Sequence, residues 1–169
     1  MCILELFKSE LFKITNVPCY SNRLPLLEAA IMETMRFGTL APLGMVHRTV
    51  ENTAFQGYHI PANTIVMSNI AAVHMSKELW GDPENFRPQR FLSSCGTKTV
   101  NLKYFLPFSH GKRKCVGEAL ARNELFLFAT IILQQFSVQL EKPLTSLEPV
   151  VGVSAVPPKH KLIFIPHDC

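Results

Sequence analysis

One cysteine stands where sulfur is well placed to act as a ligand or nucleophile: Cys115, in the run Phe108-Ser109-His110-Gly111-Lys112-Arg113-Lys114-Cys115-Val116-Gly117. Glu118 to Gln135 contains no proline or glycine, so a helix is expected to begin just after it. Unpaired N–H groups and the dipole at a helix N-terminus favour negative charge on sulfur, and Lys112, Arg113 and Lys114 add positive field. Gly111 and Gly117 remove side chains on either side of the sulfur, so a flat, bulky ligand can approach the backbone. Taken singly, a loop cysteine is more often an inert small hydrophobe. The spacing around it carries the information.

Phe-x-x-Gly-x-Arg-x-Cys-x-Gly, met here as Phe108, Gly111, Arg113, Cys115 and Gly117, resembles the haem-binding signature of the cytochrome P450 family. The resemblance implies that Cys115 is the axial thiolate of a haem iron, that Arg113 pairs with a haem propionate and that Phe108 packs near the sulfur. No C-x-x-C-H run is present, so the expected cofactor is haem b, iron protoporphyrin IX, held by ligation and packing.

That loop needs elements to position it. Residues 22–37, NRLPLLEAAIMETMRF, repeat Leu24, Leu27, Ile31 and Met35 at helical spacing. Glu33 and Arg36 lie on the opposite side among Leu26, Ala29 and Ala30, so the helix is apolar nearly all round and is expected to be buried. Buried charges must pair, which makes an ordinary exposed i,i+3 ion pair the poorer reading. The pair resembles the Glu-x-x-Arg of the family's K helix. Residues 80–95 begin WGDPENFRPQRF, whose prolines, glycine, Asp and Asn predict a compact loop in place of a helix. Phe86-x-Pro88-x-Arg90-Phe91 resembles the family's meander, which implies that Arg90 joins Glu33 and Arg36 in a structural triad. Gln89 stands where the family commonly has Glu, a change expected to be tolerated because the arginine carries the pairing.

Residues 47–69 alternate short extended runs with turn signals at Gln56-Gly57 and Pro61-Ala62-Asn63, predicting a small β-sheet. By resemblance to the microsomal branch, His47 hydrogen-bonds a haem propionate. Thr39 to Val46 is an apolar crossing. In the family this segment, here Leu40, Ala41, Pro42 and Leu43, lines the substrate cavity together with the turn at Val153; read on residues alone, both are hydrophobic core. Prolines separate short Val/Ile/Phe runs over 136–169, as irregular strands would, with Lys161–Pro166 the last. The fold expected is mainly α with small β-sheets, the C-terminal haem-binding portion of the cytochrome P450 fold.

Composition bounds the function. Of 169 residues, 47% are hydrophobic, enough for a domain-sized core, and the net charge of +4 is basic without being extreme. Lys112-Arg113-Lys114 falls short of a nucleic-acid patch or localisation run, and no nucleic-acid partner is expected. Beside a thiolate loop the same charges suit an acidic electron-donor protein. Five cysteines with no close pair make no disulfide framework and no zinc motif. The longest apolar stretch, Leu125 to Leu133, is far shorter than the roughly 20 residues of a membrane span, and reads as a buried core helix.

The resemblance covers about residues 20–169 and corresponds to the last third of a family member; residues 1–15, a short amphipathic stretch, do not match it. The chain is therefore expected to be a fragment, a truncated gene model or an isoform. The N-terminal anchor of microsomal members and the helix with the oxygen-activating acid and alcohol would lie outside it, so no catalytic residue is expected beyond the haem ligand. The family implies a monooxygenase that inserts one oxygen atom from O2 into a lipophilic substrate. Electrons would come from NADPH through NADPH-cytochrome P450 reductase, at the cytosol-facing endoplasmic reticulum membrane. Two other readings stand beside it: a non-catalytic haem-binding or partner-binding fragment, and a basic interaction module with a structural Cys115.

Overall fold

The computed structural model describes residues 24–144 and 146–167. The amphipathic stretch over 1–15, residues 22–23 at the head of the expected first helix, and residues 168–169 lie outside them.

Helix α1 runs Pro25–Gly38. Pro25 opens it with φ already set and no N–H to lose. It stops at Thr39, whose backbone turns left-handed (φ 35°) while its N–H bonds to Met35 O at 3.1 Å. The buried face is not the aliphatic stripe. Of Leu24, Leu27, Ile31 and Met35 only Leu27 is fully buried, and the face turned inward is Ala29, Ala30, Met32, Glu33 and Arg36. Two alanines let the neighbouring loop approach closely, and the charges on this face find partners there.

That loop is Trp80 to Phe91, and it is partly helical after all. Short helices α2 (Ile70–His74) and α3 (Lys77–Trp80) lead into it, and a 3-10 turn, Pro88–Phe91, closes it against α1. Proline at the start of a single tight turn is compatible with helical φ, which a scan for long helices overlooks. Ala29, Met32, Trp80, Phe91 and Phe105 form the core, with Met35, Leu92, Leu102 and Tyr104 packed around it. Its aromatic rings meet edge to face, Trp80 with Tyr104 at 4.7 Å and Phe91 with Phe105 at 4.8 Å between centroids.

The sheet expected over 47–69 is two separate antiparallel ladders. β1 (His47–Arg48) pairs with β4 (Ile65–Val66), and β2 (Thr53–Phe55) with β3 (Tyr58–Ile60) through a two-residue turn whose residues both have positive φ. The crossing at Pro61 to Thr64 is tied to the link between β1 and β2, Thr49 Oγ1 donating to Pro61 O at 2.7 Å and Ala62 N–H to Asn52 Oδ1 at 2.9 Å. This returns β4 to β1.

Helix α4 spans Glu118–Gln135 and passes directly into β5 (Phe136–Leu140), which pairs antiparallel with β8 (Leu162–Pro166). β6 (Val150–Val151) and β7 (Ala155–Val156) form a small ladder between them. The expectation that α4 is a buried core helix is corrected: none of its residues is buried, and Leu120, Leu127 and Phe128 are 63%, 55% and 59% exposed. An apolar helix is buried only where other elements cover it, and among the described helices and strands the main neighbours of α4 are α1 and β5. Among the described residues helix makes up 31% and strand 18%, so the mainly α expectation holds only in part: helix exceeds strand, and about half of these residues are in neither.

Candidate functional site

The best-ordered chemistry lies under the loop. Glu33 and Arg36 are fully buried, 0% exposed. Arg36 donates from Nε to Glu33 Oε2 at 2.7 Å and from Nη2 to Oε1 at 2.9 Å, the bidentate fork that matches guanidinium to carboxylate. Arg90 Nε donates to the same Oε1 at 3.1 Å, and so does the Arg87 backbone N–H at 2.9 Å. One carboxylate thus faces two buried guanidiniums.

The excess positive charge is met by carbonyl dipoles. Arg36 donates to His74 O and Pro83 O, and Arg90 to Trp80 O, Asp82 O and Asn85 O, all between 2.8 and 3.2 Å. Asp82 adds a partly exposed second carboxylate, Oδ1 standing 3.3 Å from Arg90 Nη2. The Trp80 ring receives both cations, with Arg36 Cζ 5.1 Å and Arg90 Cζ 5.7 Å from its centroid. Among the described residues no buried side-chain polar atom lacks a partner, the condition under which a buried ion network stabilises. Glu33, Arg36 and Arg90 are therefore brought together in one hydrogen-bonded cluster.

His74 sits beside this cluster, fully buried, and the sequence reading passed over it. Its Nε2 accepts the Leu106 N–H at 3.0 Å, so the other nitrogen carries the proton. Nδ1 therefore donates to Thr39 Oγ1 at 2.9 Å, and Thr39 in turn donates to Arg36 O at 2.6 Å. Burial first, and then the Arg36 charge, lower the His74 pKa to about 4. The signal available in the sequence was a histidine that directly follows the apolar run Ile70-Ala71-Ala72-Val73.

From Leu106 the chain enters the cysteine loop. Ser109 N–H bonds to Leu106 O at 3.0 Å, Lys114 N–H to Gly111 O at 3.2 Å and Cys115 N–H to Phe108 O at 2.9 Å. The turn between them uses positive φ at Ser109 (63°) and Gly111 (85°), a conformation that suits glycine at the second position. Cys115 is an exposed free thiol just before Gly117, the N-cap of α4. A Cβ added at Gly117 would meet only Cys115 Sγ, at 3.8 Å, and one at Gly111 would meet nothing within 4 Å. Arg122, in the second turn of α4, lays its guanidinium over the rings of Phe108 (5.2 Å) and Phe105 (5.5 Å), joining helix, loop and core.

His47 and Arg113 are exposed, and among the described residues neither side chain has a hydrogen bond or ion pair. Leu40 and Leu43 are exposed, with Ala41 and Pro42 half-buried. This segment and the turn carrying Val153 are joined by the Ala155 N–H donating to Leu40 O at 2.8 Å. Val153 itself is exposed, so neither segment forms hydrophobic core here.

Fold and site together describe a loop that presents an exposed thiol and a buried ion cluster that ties α1 to the segment over 80–91. Residues 16–164 match the family described as Cytochrome P450. The chain is 42% identical over 160 residues to cytochrome P450 2E1 of Oryctolagus cuniculus, covering 90% of this chain and 32% of that protein. It is 40% identical over 146 residues to the farnesoate epoxidase of Bombyx mori, covering 85% of this chain and 29% of that one. Cytochrome P450 18a1 of Drosophila melanogaster is 40% identical over 141 residues, 82% of this chain and 26% of its own length. The chain belongs to the cytochrome P450 family. It spans 26% to 32% of the length of these relatives.

Proposed function

We propose that this chain is the thiolate-bearing C-terminal part of a haem-thiolate monooxygenase that inserts one oxygen atom from O2 into a lipophilic organic substrate. The observation that carries the reading is the exposed Cys115 thiol, set between Gly111, where an added Cβ would meet nothing within 4 Å, and Gly117, where it would meet only the sulfur. These residues fit a flat tetrapyrrole. An exposed sulfur stands beside space that a Cβ at Gly117 would fill, and Arg113 and His47 are exposed cation and imidazole donors for carboxylates.

In this reading Cys115 holds the iron of haem b, Arg113 and His47 take the propionates, and Phe108, Gly111 and Gly117 shape the sulfur side of the plane. When bound, the haem supplies the oxygen-activating chemistry. Glu33, Arg36 and Arg90 fix α1 and the meander beneath the loop and touch no reacting atom. Leu40, Ala41, Pro42, Leu43 and Val153 offer an apolar lining to the substrate. Exposed Lys112 and Lys114 face an acidic electron donor, NADPH-cytochrome P450 reductase, at the cytosolic surface of the endoplasmic reticulum. Among the described residues no helix is long and apolar enough to cross a membrane.

The test is a haem-loaded, reduced and carbon monoxide-treated sample. A thiolate-type Soret band is expected, and its survival in Cys115→Ala would refute ligation by Cys115. A second reading, a haem-binding or partner-binding piece without turnover, is favoured by the uncovered apolar surface of α4. With reductase, NADPH and a lipophilic substrate, this chain alone is expected to give haem binding without product.

A further inference from the structure

We propose that His74 is a positioning residue that carries the alignment of the Glu33–Arg36–Arg90 cluster to the Cys115 loop, through the hydrogen bond its Nε2 accepts from the Leu106 N–H. The inference rests on Cys115 being the working end of that loop.

The connection is continuous at both ends of the residue. The His74 carbonyl accepts Arg36 Nη1 at 2.8 Å, so the guanidinium grips its backbone. Its ring is gripped separately: Nδ1 bonds to Thr39 Oγ1 at 2.9 Å, and that hydroxyl donates to Arg36 O at 2.6 Å. Thr39 is a β-branched residue held at φ 35°, a backbone state that needs such an anchor. Phe105 stacks on the imidazole at 6.1 Å and Trp80 meets it edge-on at 6.4 Å between centroids, so the ring is flanked by aromatic side chains on two sides.

What the fixed ring then does is aim one acceptor at Leu106. Leu106 is the last residue before the turn, and its own carbonyl takes the Ser109 N–H at 3.0 Å. Phe108 O closes the loop on Cys115 N–H at 2.9 Å. The sulfur's backbone is thus three hydrogen bonds from His74, along a path with no exposed side chain in its buried half. The neutral ring that the acceptor role requires agrees with the lowered pKa already given. The same residue reaches the other side of the site, because Thr39 leads straight into Leu40, whose carbonyl takes the Ala155 N–H.

Two near-isosteres separate the two ring nitrogens. Gln places its terminal amide near the Nε2 position and can accept from Leu106; Asn places its amide near Nδ1 and can reach only Thr39. The measurement is amide hydrogen exchange by mass spectrometry on the full chain without haem, compared over residues 103–117 and over α1. His74→Asn is expected to speed exchange of the 103–117 segment by about tenfold, the worth of one buried hydrogen bond, while α1 changes much less. His74→Gln is expected to stay within about twofold of the parent there. Equal effects of the two variants, no effect of either, or protection lost alike throughout the chain would each overturn the proposal. A haem-loaded sample separates it from the reading beneath it. If Cys115→Ala keeps the thiolate-type band, the haem assignment fails while the exchange result still decides the role of His74; if it loses the band, His74→Gln should keep it better than His74→Asn.

Discussion

Replacing Glu33 by Gln removes one charge and almost no volume, which makes it the sharpest probe of the buried cluster. Glu33 accepts four hydrogen bonds, from Arg36 Nε, Arg36 Nη2, Arg90 Nε and the Arg87 N–H, and is wholly excluded from water. The glutamine amide turns one acceptor into a donor facing these N–H groups, and two guanidiniums lose their shared counter-ion. Removing one partner of a buried pair costs about 3–5 kcal/mol. A domain is stable by only about 5–15 kcal/mol, so the loss is a large share of the total. Taking about 4 kcal/mol and a urea slope of about 2 kcal/mol per molar, the midpoint of unfolding should fall by about 2 M. The control is Arg87→Ala, which breaks a pair with Asp82 whose side chains are 51% and 36% exposed. Such a pair is worth under about 1 kcal/mol, and its midpoint should barely move. If Glu33→Gln and Arg87→Ala shift the urea midpoint equally, the network does not hold the fold as argued.

Stability should also depend on pH through His74. The unfolded histidine takes up its proton near pH 6.5, the folded one only near about 4, so the contribution is complete above 6.5, is lost as pH falls from 6.5 towards 4, and is flat below. The difference corresponds to about 3 kcal/mol, read from urea unfolding across that window, and His74→Gln should remove this part of the slope. Cys95 is exposed, and hydrogen bonds from Ser93 Oγ (3.3 Å) and then Thr97 Oγ1 (3.0 Å) lower its pKa to about 7. Its alkylation rate should rise to half its maximum near that pH, and Ser93→Ala with Thr97→Val should move the midpoint up; an unchanged midpoint would exclude the hydroxyls as the cause. On α4, Phe128→Lys with Ile131→Lys replaces side chains 59% and 43% exposed. Unfolding free energy should change by no more than about 1 kcal/mol for the pair while sedimentation shows less self-association, and a loss of several kcal/mol would mean that the helix is covered.

Where the sequence could be read depended on whether the answer was local. The bounds of α4 follow from a run free of proline and glycine closed by a β-rich segment, and the helix occupies Glu118–Gln135 as that run implies. The burial of Glu33 and Arg36 was legible because their side of the helix offered Leu26, Ala29 and Ala30 in place of a polar face. Which face of α1 turns inward was not legible from periodicity. The aliphatic stripe points one way, but fully paired charges with small neighbours pack against the 3-10 turn, and no count of apolar residues sees partners contributed from Pro83 and Arg90. Nor could apolar content say whether α4 is covered, since burial belongs to the neighbours as much as to the helix. His74 went unseen for a related reason: its partners, Thr39 and Leu106, lie 35 and 32 residues away.

The molecule is built unevenly, and the unevenness bears on its chemistry. Nearly every fully buried side chain belongs to α1, the segment from Ile70 to Phe91, or Phe105, whereas the cysteine loop, His47, Arg113 and the turn at Val153 are exposed. The cluster that holds the scaffold together therefore draws nothing from the groups that would face a ligand. The loop is secured from behind by the Leu106 N–H on His74 and from above by Arg122 over Phe108. Neither contact uses the sulfur, so Cys115 is left with its chemistry unspent. For the iron ligation proposed above, a thiol on a braced loop with its own side chain free is the favourable arrangement, because any internal partner for the sulfur would have to be broken before a metal could bind.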